Sequence, residues 1–204
     1  GTYEVGAQYH AYMEPVSVLA AFGPDGRVTV WSSTQSIFRT QANIHEGLGI
    51  PMGKIRCVAP RIGGGFGAKA EASGQLGTVM LAKKAGTLRV KTGAKADGTL
   101  VAREMEVWLD AGAYADDSPA VMNLVLFYAR GSYSIPHVRA LGHAVYTNKL
   151  RLGAFRGFGN PQASFAAESQ LDEIAEKLGI DPIELRIKNA IKAGEQWLGG
   201  QRIT

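Results

Sequence analysis

Apolar and polar residues follow one another in short runs through the first third of the chain, as they do in strands. Val16 to Phe22 and Arg27 to Trp31 are apolar-rich and are separated by Gly23-Pro-Asp-Gly26, a strong turn signal. A third short strand is predicted over Lys54 to Ala59, directly before the glycine-rich run Gly63-Gly-Gly-Phe-Gly67. This part of the chain is therefore predicted to be mainly strand.

Apolar residues also recur at helical spacing. A helix is predicted over Ser36 to Leu48, with Gly49 at its end and an apolar side made of Ile37, Ala42, Ile44 and Leu48. After the glycine-rich run, Ala72, Leu76, Val79 and Met80 predict another helix, which Gly86 would end. A third helix is predicted over Ser118 to Ala129.

The last third shows the strongest helix signals. Asn160 can cap a helix that has Pro161 in its first turn and Gly179 at its end. Asp181 caps the next helix, with Pro182 first and Glu184 placed as in a capping box. The expected buried stripes are Ala167, Leu171, Ile174, Ala175 and Leu178 in the former, and Ile183, Ile187, Ala190 and Ile191 in the latter.

Strands are predicted between these helices over Thr87 to Val90, Thr99 to Leu109 and Val138 to Tyr146. In the second of them Val101, Met105, Val107 and Leu109 share one face, and Glu104, Glu106 and Trp108 share the other. Strands and helices do not follow a strict βαβ rhythm. We therefore expect an α+β fold with mixed sheets and packed helices, without an internal repeat or a clear domain boundary.

The composition excludes several classes of protein. The chain has 204 residues, 46% of them apolar and 20% charged, which is typical of a globular protein. A net charge of +4 with scattered basic residues does not favour nucleic-acid binding. There is no apolar run of membrane-spanning length and no signal peptide, so a cytoplasmic setting is expected. The absence of an initiator Met predicts a piece of a longer chain.

Metal-ligand and disulfide patterns are absent from the sequence. Cys57 is the only cysteine, so the chain can form neither an internal disulfide nor a C-x-x-C metal site. It is expected to be a small buried residue on a strand. The four histidines lack ligand spacing and are expected to be structural: His10, His45, His137 and His143.

Two loops combine glycines with a bulky aromatic residue, and both lead into predicted helices: Gly63 to Gly67 and Ala154-Phe-Arg-Gly-Phe-Gly-Asn160. Glycines let backbone N–H groups approach an anionic group, and a helix N-terminus favours negative charge. An aromatic side chain in such a loop can pack on a planar ring, and the Arg156 guanidinium suits phosphate or carboxylate. The two loops together predict one binding site for a large, flat anion.

A dinucleotide-binding turn is an alternative interpretation of the first loop. Gly63, Gly65 and Ala68 satisfy G-x-G-x-x-G/A between a predicted strand and a predicted helix. That motif also needs an acidic residue near the end of the next strand, and Thr87 to Val90 offers none. The phosphate-loop pattern of nucleotide hydrolases fails as well, because Lys69 lies between two alanines.

Three motifs, in this order along the chain, resemble the xanthine dehydrogenase/aldehyde oxidase family: Trp31-Ser-Ser-Thr-Gln35, Gly63-Gly-Gly-Phe-Gly-Ala-Lys69 and Ala154-Phe-Arg-Gly-Phe-Gly-Asn-Pro-Gln162. The opening Gln8-Tyr-His-Ala-Tyr-Met-Glu-Pro15 and the segment Leu171 to Asn189 look like the same subunit. The resemblance covers nearly the whole chain. The Ala154 to Gln162 motif is the most specific of the three.

The resemblance implies a partial molybdopterin-binding region of a molybdenum hydroxylase, which oxidises aldehydes or N-heterocycles, including xanthine-like compounds, with water as the oxygen source. The implied cofactor is molybdopterin, in its cytosine dinucleotide form, carrying molybdenum held by the pterin dithiolene. A 2Fe–2S cluster and FAD are implied on partner domains or subunits. The remaining molybdenum-binding half or chain is a further implied partner, and an oligomer is expected.

Individual positions acquire roles from the same resemblance. Gln35 matches a glutamine whose amide donates to an oxygen ligand of the metal, a task that suits a neutral donor. Arg156 matches an arginine beside the cofactor, and Phe158 an aromatic residue that stacks on flat substrates. The implied cofactor-binding loop comprises Gly64, Gly65, Phe66 and Gly67, and no residue of the chain is implied as a ligand of the metal itself.

The chain departs from the family pattern in three places. Ala70 follows the lysine where many purine-oxidising members have glutamate, although Glu71 is adjacent. A segment that the family carries is missing between Gly86 and Thr87. The catalytic glutamate belongs to the family's later half, so the general base is expected outside this chain, which alone should be inactive. Three glutamates on predicted helices are expected to be surface or capping residues: Glu168, Glu173 and Glu184.

Two other functions stay open from the sequence. The first is a non-catalytic domain that makes subunit contacts and binds no cofactor, which the missing segment and missing half favour. The second, weaker one is an NAD-dependent dehydrogenase built on Gly63, Gly65 and Ala68. Neither the substrate nor the oligomeric state follows from the sequence.

Overall fold

The computed structural model describes residues 1–70, 82–115 and 117–204. The strands are β1 Thr2–Val5, β2 Gln8–Tyr9, β3 Val18–Phe22, β4 Val28–Ser32, β5 Ile55–Val58, β6 Ala82–Lys83, β7 Gly86–Ala94, β8 Leu100–Gly112, β9 His137–Tyr146 and β10 Leu152–Gly153. The helices are α1 Ile37–Leu48, α2 Ser118–Phe127, α3 Asn160–Leu178 and α4 Pro182–Asn189, with a 3₁₀ turn at Met52–Lys54. The expected α+β class with mixed sheets is confirmed.

The largest sheet has the strand order β1-β7-β8-β9, with β8 and β9 parallel and the other pairs antiparallel. One face of β8 is buried, as its alternating pattern predicts, while Glu104 on the other face is exposed. Helices α2 and α3 cover the buried face. The main core lies between these two helices and the buried face of the sheet. It consists largely of Leu88, Val90, Met105, Val107, Leu109, Val121, Val125, Ala163, Ala166 and Ala167.

A second sheet, β3-β4-β5, is formed by residues from the first third of the chain. The predicted strands on either side of the Gly23-Pro-Asp-Gly26 turn pair antiparallel, and β5 joins β4 in parallel. Helix α1 ends at Gly49 in the left-handed conformation, as predicted. It buries Ile44 against Val28, Val30 and Ile55, a small separate core.

The third sheet joins distant parts of the chain through three two-residue strands. Strand β6 pairs in parallel with β10 and antiparallel with β2. Strand β2 leads into residues 10–15, and β10 leads into the second glycine–aromatic loop. This small sheet therefore brings together segments that are about 140 positions apart in the sequence.

Several local predictions were wrong. Leu185 and Asn189, and not Ile183 and Ile187, form the buried side of α4. Gly159, and not Asn160, is the N-cap residue of α3, so the Asn160 side chain accepts a hydrogen bond from Ser164 instead of capping the helix. Leu48 is exposed at the end of α1, and Gly86 begins strand β7 instead of ending a helix.

The predicted helix through Ala72, Leu76, Val79 and Met80 lies outside the described residues, as does Glu71. Among the helices that the structure describes, none is long and apolar enough to cross a membrane. The same ranges contain no group of three or more His, Cys, Asp or Glu side chains that could hold a metal ion.

Candidate cofactor site

The two glycine–aromatic loops lie in direct contact. The backbone N–H of Arg156 donates to the carbonyl oxygen of Phe66 at 2.8 Å. Gly67 has φ +106°, and a Cβ atom placed there would lie 2.6 Å from the carbonyl oxygen of Ala154. Only glycine allows backbones to approach this closely in that conformation. The loops, predicted separately from the sequence, thus form one surface.

Residues 10–14 form the third part of this surface. The Nε2 of His10 lies 2.6 Å from the carbonyl oxygen of Ala154, which can only accept, so this nitrogen carries the proton. The carboxylate of Glu14 accepts from the backbone N–H of Gly63 at 2.7 Å and from Nζ of Lys69 at 2.6 Å. One short segment therefore makes contact with both loops.

Lys69 is fully buried beneath the first loop. Its ammonium group pairs with Glu14 and lies 4.8 Å from the ring centroid of Tyr12. Glu14 accepts hydrogen bonds from the Lys69 ammonium group and from the Gly63 N–H. The bond from Lys69 and, after it, the bond from Gly63 lower the pKa of the Glu14 carboxyl group. Sequence reasoning assigned no role to Glu14, because its partners are about 50 positions away and no local pattern joins them.

Gln35 is held between this lysine and the first loop. Its backbone N–H donates to the carbonyl oxygen of Lys69 at 2.8 Å, and its side-chain Oε1 accepts from the backbone N–H of Gly67 at 3.1 Å. A Cβ atom on Gly65 would lie 2.3 Å from Oε1, so a side chain there would displace the Gln35 amide from this position. Because the oxygen faces the Gly67 N–H, the Gln35 side-chain NH₂ remains available as a donor.

Strained backbone is concentrated at the same place. In the described ranges, the non-glycine residues with positive φ are Ala11 at +48°, Phe66 at +52° and Phe158 at +48°. One belongs to each of the three segments that meet here. Left-handed conformations are unfavourable for alanine and phenylalanine, and such strain is typically found at functional sites, where the surroundings enforce it.

The first loop presents fewer unoccupied N–H groups than its glycines suggested. The backbone N–H groups of Gly63 and Gly67 bind Glu14 and Gln35, and that of Ala68 donates to the carbonyl oxygen of Gly65. In the described ranges, those of Gly64, Gly65 and Phe66 have no acceptor. Three consecutive backbone donors therefore remain, on the loop that the resemblance assigned to the cofactor.

The two phenylalanines differ in exposure. The Phe66 side chain is exposed, whereas Phe158 is half-buried and packs against the main core. Arg156 is exposed and contributes its backbone N–H to the contact between the loops. The structure thus brings the predicted residues Gln35, Gly64, Gly65, Phe66, Gly67 and Arg156 to one surface and places Phe158 between that surface and the core.

Other candidate residues make contacts elsewhere. Glu168 accepts from Tyr133 and Arg186, and Glu173 accepts from Tyr3, so both connect elements of the fold. Glu184 lies in the first turn of α4. His143 stacks on Trp108 beside Glu106. Cys57 is half-buried on β5, and burial raises the pKa of its thiol, which disfavours the reactive thiolate.

Comparison with known proteins shows the family of this chain. The family model described as "Molybdopterin cofactor-binding domain" matches residues 1–88 and residues 83–190. The chain belongs to the molybdopterin cofactor-binding domain family. The resemblance of the three sequence motifs is thereby confirmed. The two matched stretches meet at residues 83–88, around the Gly86–Thr87 junction.

Relatives of this molybdopterin-binding chain cover most of its length. A probable xanthine dehydrogenase subunit of Bacillus subtilis is 37% identical over 94% of the chain and 29% of its own length. The nicotinate dehydrogenase large molybdopterin subunit of Eubacterium barkeri is 35% identical over 98% of the chain and 52% of its own length. The chain therefore spans about half or less of these relatives.

Solved structures agree with this assignment. The aldehyde oxidoreductase from Desulfovibrio gigas superposes with a TM-score of 0.90 at 33% identity, over 99% of this chain and 25% of that protein. The mixed-sheet fold is thus the fold of a molybdopterin-binding region. By name these relatives are two dehydrogenase subunits, one of them a molybdopterin subunit, and an aldehyde oxidoreductase, and this chain corresponds to a part of each.

Proposed function

We propose that this chain holds one side of a molybdopterin cofactor in a molybdenum hydroxylase that oxidises aldehydes or N-heterocycles with water as the oxygen source. The observation that carries the proposal is the position of Gln35. Its oxygen accepts from the Gly67 N–H, while its NH₂ group has no acceptor among the described residues and lies near the backbone donors of Gly64, Gly65 and Phe66. A rigid set of neutral donors suits an anionic metal–oxygen centre.

The residues present fit such a group. A side chain at Gly65 would displace the Gln35 amide and one at Gly67 would collide with the Ala154 backbone, so glycines keep both contacts in place. The N–H groups of Gly64, Gly65 and Phe66 have no acceptor among the described residues, so they suit an anionic group. When bound, the cofactor supplies the two-electron redox chemistry of the reaction. Gln35 and the loop N–H groups would orient its metal end, Arg156 would balance its negative charge, and Phe158 would limit the space for a flat substrate.

The finer assignments belong to this proposal. The cytosine dinucleotide form of molybdopterin is the expected cofactor, with a 2Fe–2S cluster and FAD on partner domains or subunits and a cytoplasmic setting. A general base would come from the remaining molybdenum-binding half, since Glu168 and Glu173 accept hydrogen bonds from Tyr133 and Tyr3, and Glu184 lies in the first turn of α4. The chain would then turn over only in the assembled enzyme.

The proposal is tested on the enzyme purified with its copurifying chains. Molybdenum and pterin should be found at close to one per copy of this chain. Gln35→Glu keeps an oxygen for the Gly67 N–H but removes the donor, so kcat should fall by roughly 10²- to 10³-fold with unchanged thermal stability. Gln201→Glu, on an exposed residue near the C-terminus, is the matched control and should have no effect.

Two results would contradict the proposal. The first is a folded, assembled complex without molybdenum or pterin, which would instead support the non-catalytic domain that makes subunit contacts. The discontinuity of the family match at residues 83–88 is the observation that keeps this second function open. The second result that would contradict the proposal is a Gln35→Glu enzyme whose kcat equals that of the wild type. Tight NADH binding would favour the dehydrogenase hypothesis, which the family match does not support.

A further inference from the structure

Strand β3 is apolar and exposed along its entire length. Val18, Leu19, Ala20, Ala21 and Phe22 are all exposed, with Leu19 at 66% and Phe22 at 70% of their full accessible area. The strand contains no charge and no proline. Solvent-exposed edge strands normally carry such residues, because an uncharged edge pairs with other chains. The composition of β3 is therefore typical of a strand that another segment or chain covers.

The outer edge of β3 has backbone groups ready for pairing. In the described ranges β3 pairs with β4 alone. The Ser33 N–H donates to the Ser17 carbonyl, and the Gly23 N–H donates to the Arg27 carbonyl. Since antiparallel bonds to one neighbour recur at every second residue, the odd-numbered residues face β4. The N–H and C=O groups of Val18, Ala20 and Phe22 then point to the open edge.

The core beneath this sheet is incomplete. Helix α1 buries Val28, Val30 and Ile55 with Ile44, but it does not cover β3. In the observed register Ala20 lies opposite Val30, and Phe22 lies opposite Val28. Side chains directly opposite each other in a sheet point to the same face. The apolar layer thus continues past α1 onto an uncovered strand.

We propose that β3 is the docking edge for the remaining half of the molybdopterin-binding subunit, which adds an extended apolar segment along Val18–Phe22. This inference rests on the proposed function. The relatives carry roughly half to three quarters of their length outside the matched region, so in them a long stretch of chain is available to cover the matching strand. The edge also adjoins the candidate site, since β3 follows Glu14 closely and β4 ends three residues before Gln35.

A second copy of this chain is a less favourable occupant. Pairing of two β3 edges would bury the strand but would bring no new residue to the site, which lacks a general base. Addition of the remaining half would cover the strand and would also bring new residues to the chain that carries the site. Pairing through backbone hydrogen bonds together with burial of alternate side chains is the usual mode of strand addition.

Photocrosslinking in the purified enzyme identifies the occupant. A photoreactive phenylalanine derivative at position 22 should crosslink to a segment of the remaining molybdenum-binding half, identified by mass spectrometry. The same derivative at Ile187, which is also 70% exposed, is the matched control and should give no crosslink to that segment. A crosslink from position 22 to a second copy, or none at all, would overturn the proposal.

Hydrogen exchange gives an independent measure. The peptide containing Val18, Ala20 and Phe22 should exchange at least roughly 100-fold more slowly than exposed loops if the edge is paired, and rapid exchange in the assembled enzyme would contradict pairing. Ala20→Pro removes one outward N–H and should abolish that protection. Molybdenum content is measured in the same samples. An unprotected β3 in molybdenum-containing enzyme would refute the docking edge and leave the proposed function intact.

Discussion

Replacing Gly67 by alanine tests the close contact between the two loops. The residue has φ +106°, where an alanine is strained by about 1–3 kcal/mol. Its Cβ would also lie 2.6 Å from the Ala154 carbonyl oxygen and 2.7 Å from its carbon. These are backbone atoms that cannot rotate away, so the clash adds about 1–3 kcal/mol. The total destabilisation expected is roughly 2–6 kcal/mol.

This change should be visible in thermal unfolding. For a chain of this size each kcal/mol lowers Tm by roughly 2–4 °C, so Gly67→Ala should lower it by about 10 °C. The control is Gly47→Ala. Gly47 lies in α1, where an added Cβ meets nothing within 4 Å, and alanine there should stabilise the helix by about 0.5–1 kcal/mol.

Cofactor retention separates the loop contact from general instability. Gly67→Ala should lose pterin even below its own unfolding temperature, because the loops can relieve the clash only by moving apart. The reasoning would be refuted by a Gly67→Ala protein whose Tm and pterin content match those of the parent. It would also be refuted if Gly47→Ala were equally destabilising, since the effect would then not depend on contact between the loops.

Two further predictions concern α4 and the acid stability of the protein. Leu185→Ala should destabilise the fold by about 2–5 kcal/mol because the Leu185 side chain is buried. Ile187→Ala should change the free energy of unfolding by less than about 0.5 kcal/mol. Equal values for the two variants in urea unfolding would contradict the observed orientation of α4. Hydrogen bonds, first from the Thr99 backbone and then from Lys188, lower the pKa of Asp97 to about 2 from an ordinary value of 3.8. This group therefore stabilises the fold above pH 3.8 and loses that effect as the pH falls towards 2. Asp97→Asn should make stability less dependent on pH in that window, and an unchanged acid unfolding curve would contradict it.

Features set by neighbouring residues were predictable from the sequence. The Gly23-Pro-Asp-Gly26 turn joins β3 and β4, and Asp181 caps α4 by accepting from the N–H groups of Ile183 and Glu184. Gly49 and Gly179 end their helices in the left-handed conformation. Each of these depends on a few consecutive residues, so tertiary contacts had little opportunity to override them.

The orientation of α4 was not predictable, because two stripes at the same spacing compete. Ile183 and Ile187 are more apolar than Leu185 and Asn189, yet the latter pair is buried. The Asn189 side chain accepts from the Leu100 N–H and donates to the Gly98 carbonyl, at about 90 positions' separation. The hydrogen bonds of the buried Asn189 amide with backbone groups of another element outweigh the cost of exposing two isoleucines. Those backbone groups can be identified only from the folded structure.

The candidate site was predictable only where it depends on local motifs or on the family resemblance. The glycine–aromatic loops are local motifs, and the resemblance to a known family placed Gln35 beside them. Glu14 lies in the opening segment that resembles the family, but the resemblance assigned it no role. Its contacts with Gly63 and Lys69 depend on the tertiary fold. The buried Lys69 charge likewise has no signal in the sequence beyond a lysine after a glycine run.

The three short strands β2, β6 and β10 explain how strain at the site is maintained. Ala11 and Phe158 follow β2 and β10 by two and five positions, and both hold left-handed backbone that would relax in a free loop. Because β6 pairs with both strands, neither segment can relax without breaking the small sheet or the contacts of His10 and Arg156. Contacts within the protein thus hold the loop conformation, which is what electrostatic preorganisation at such a site requires.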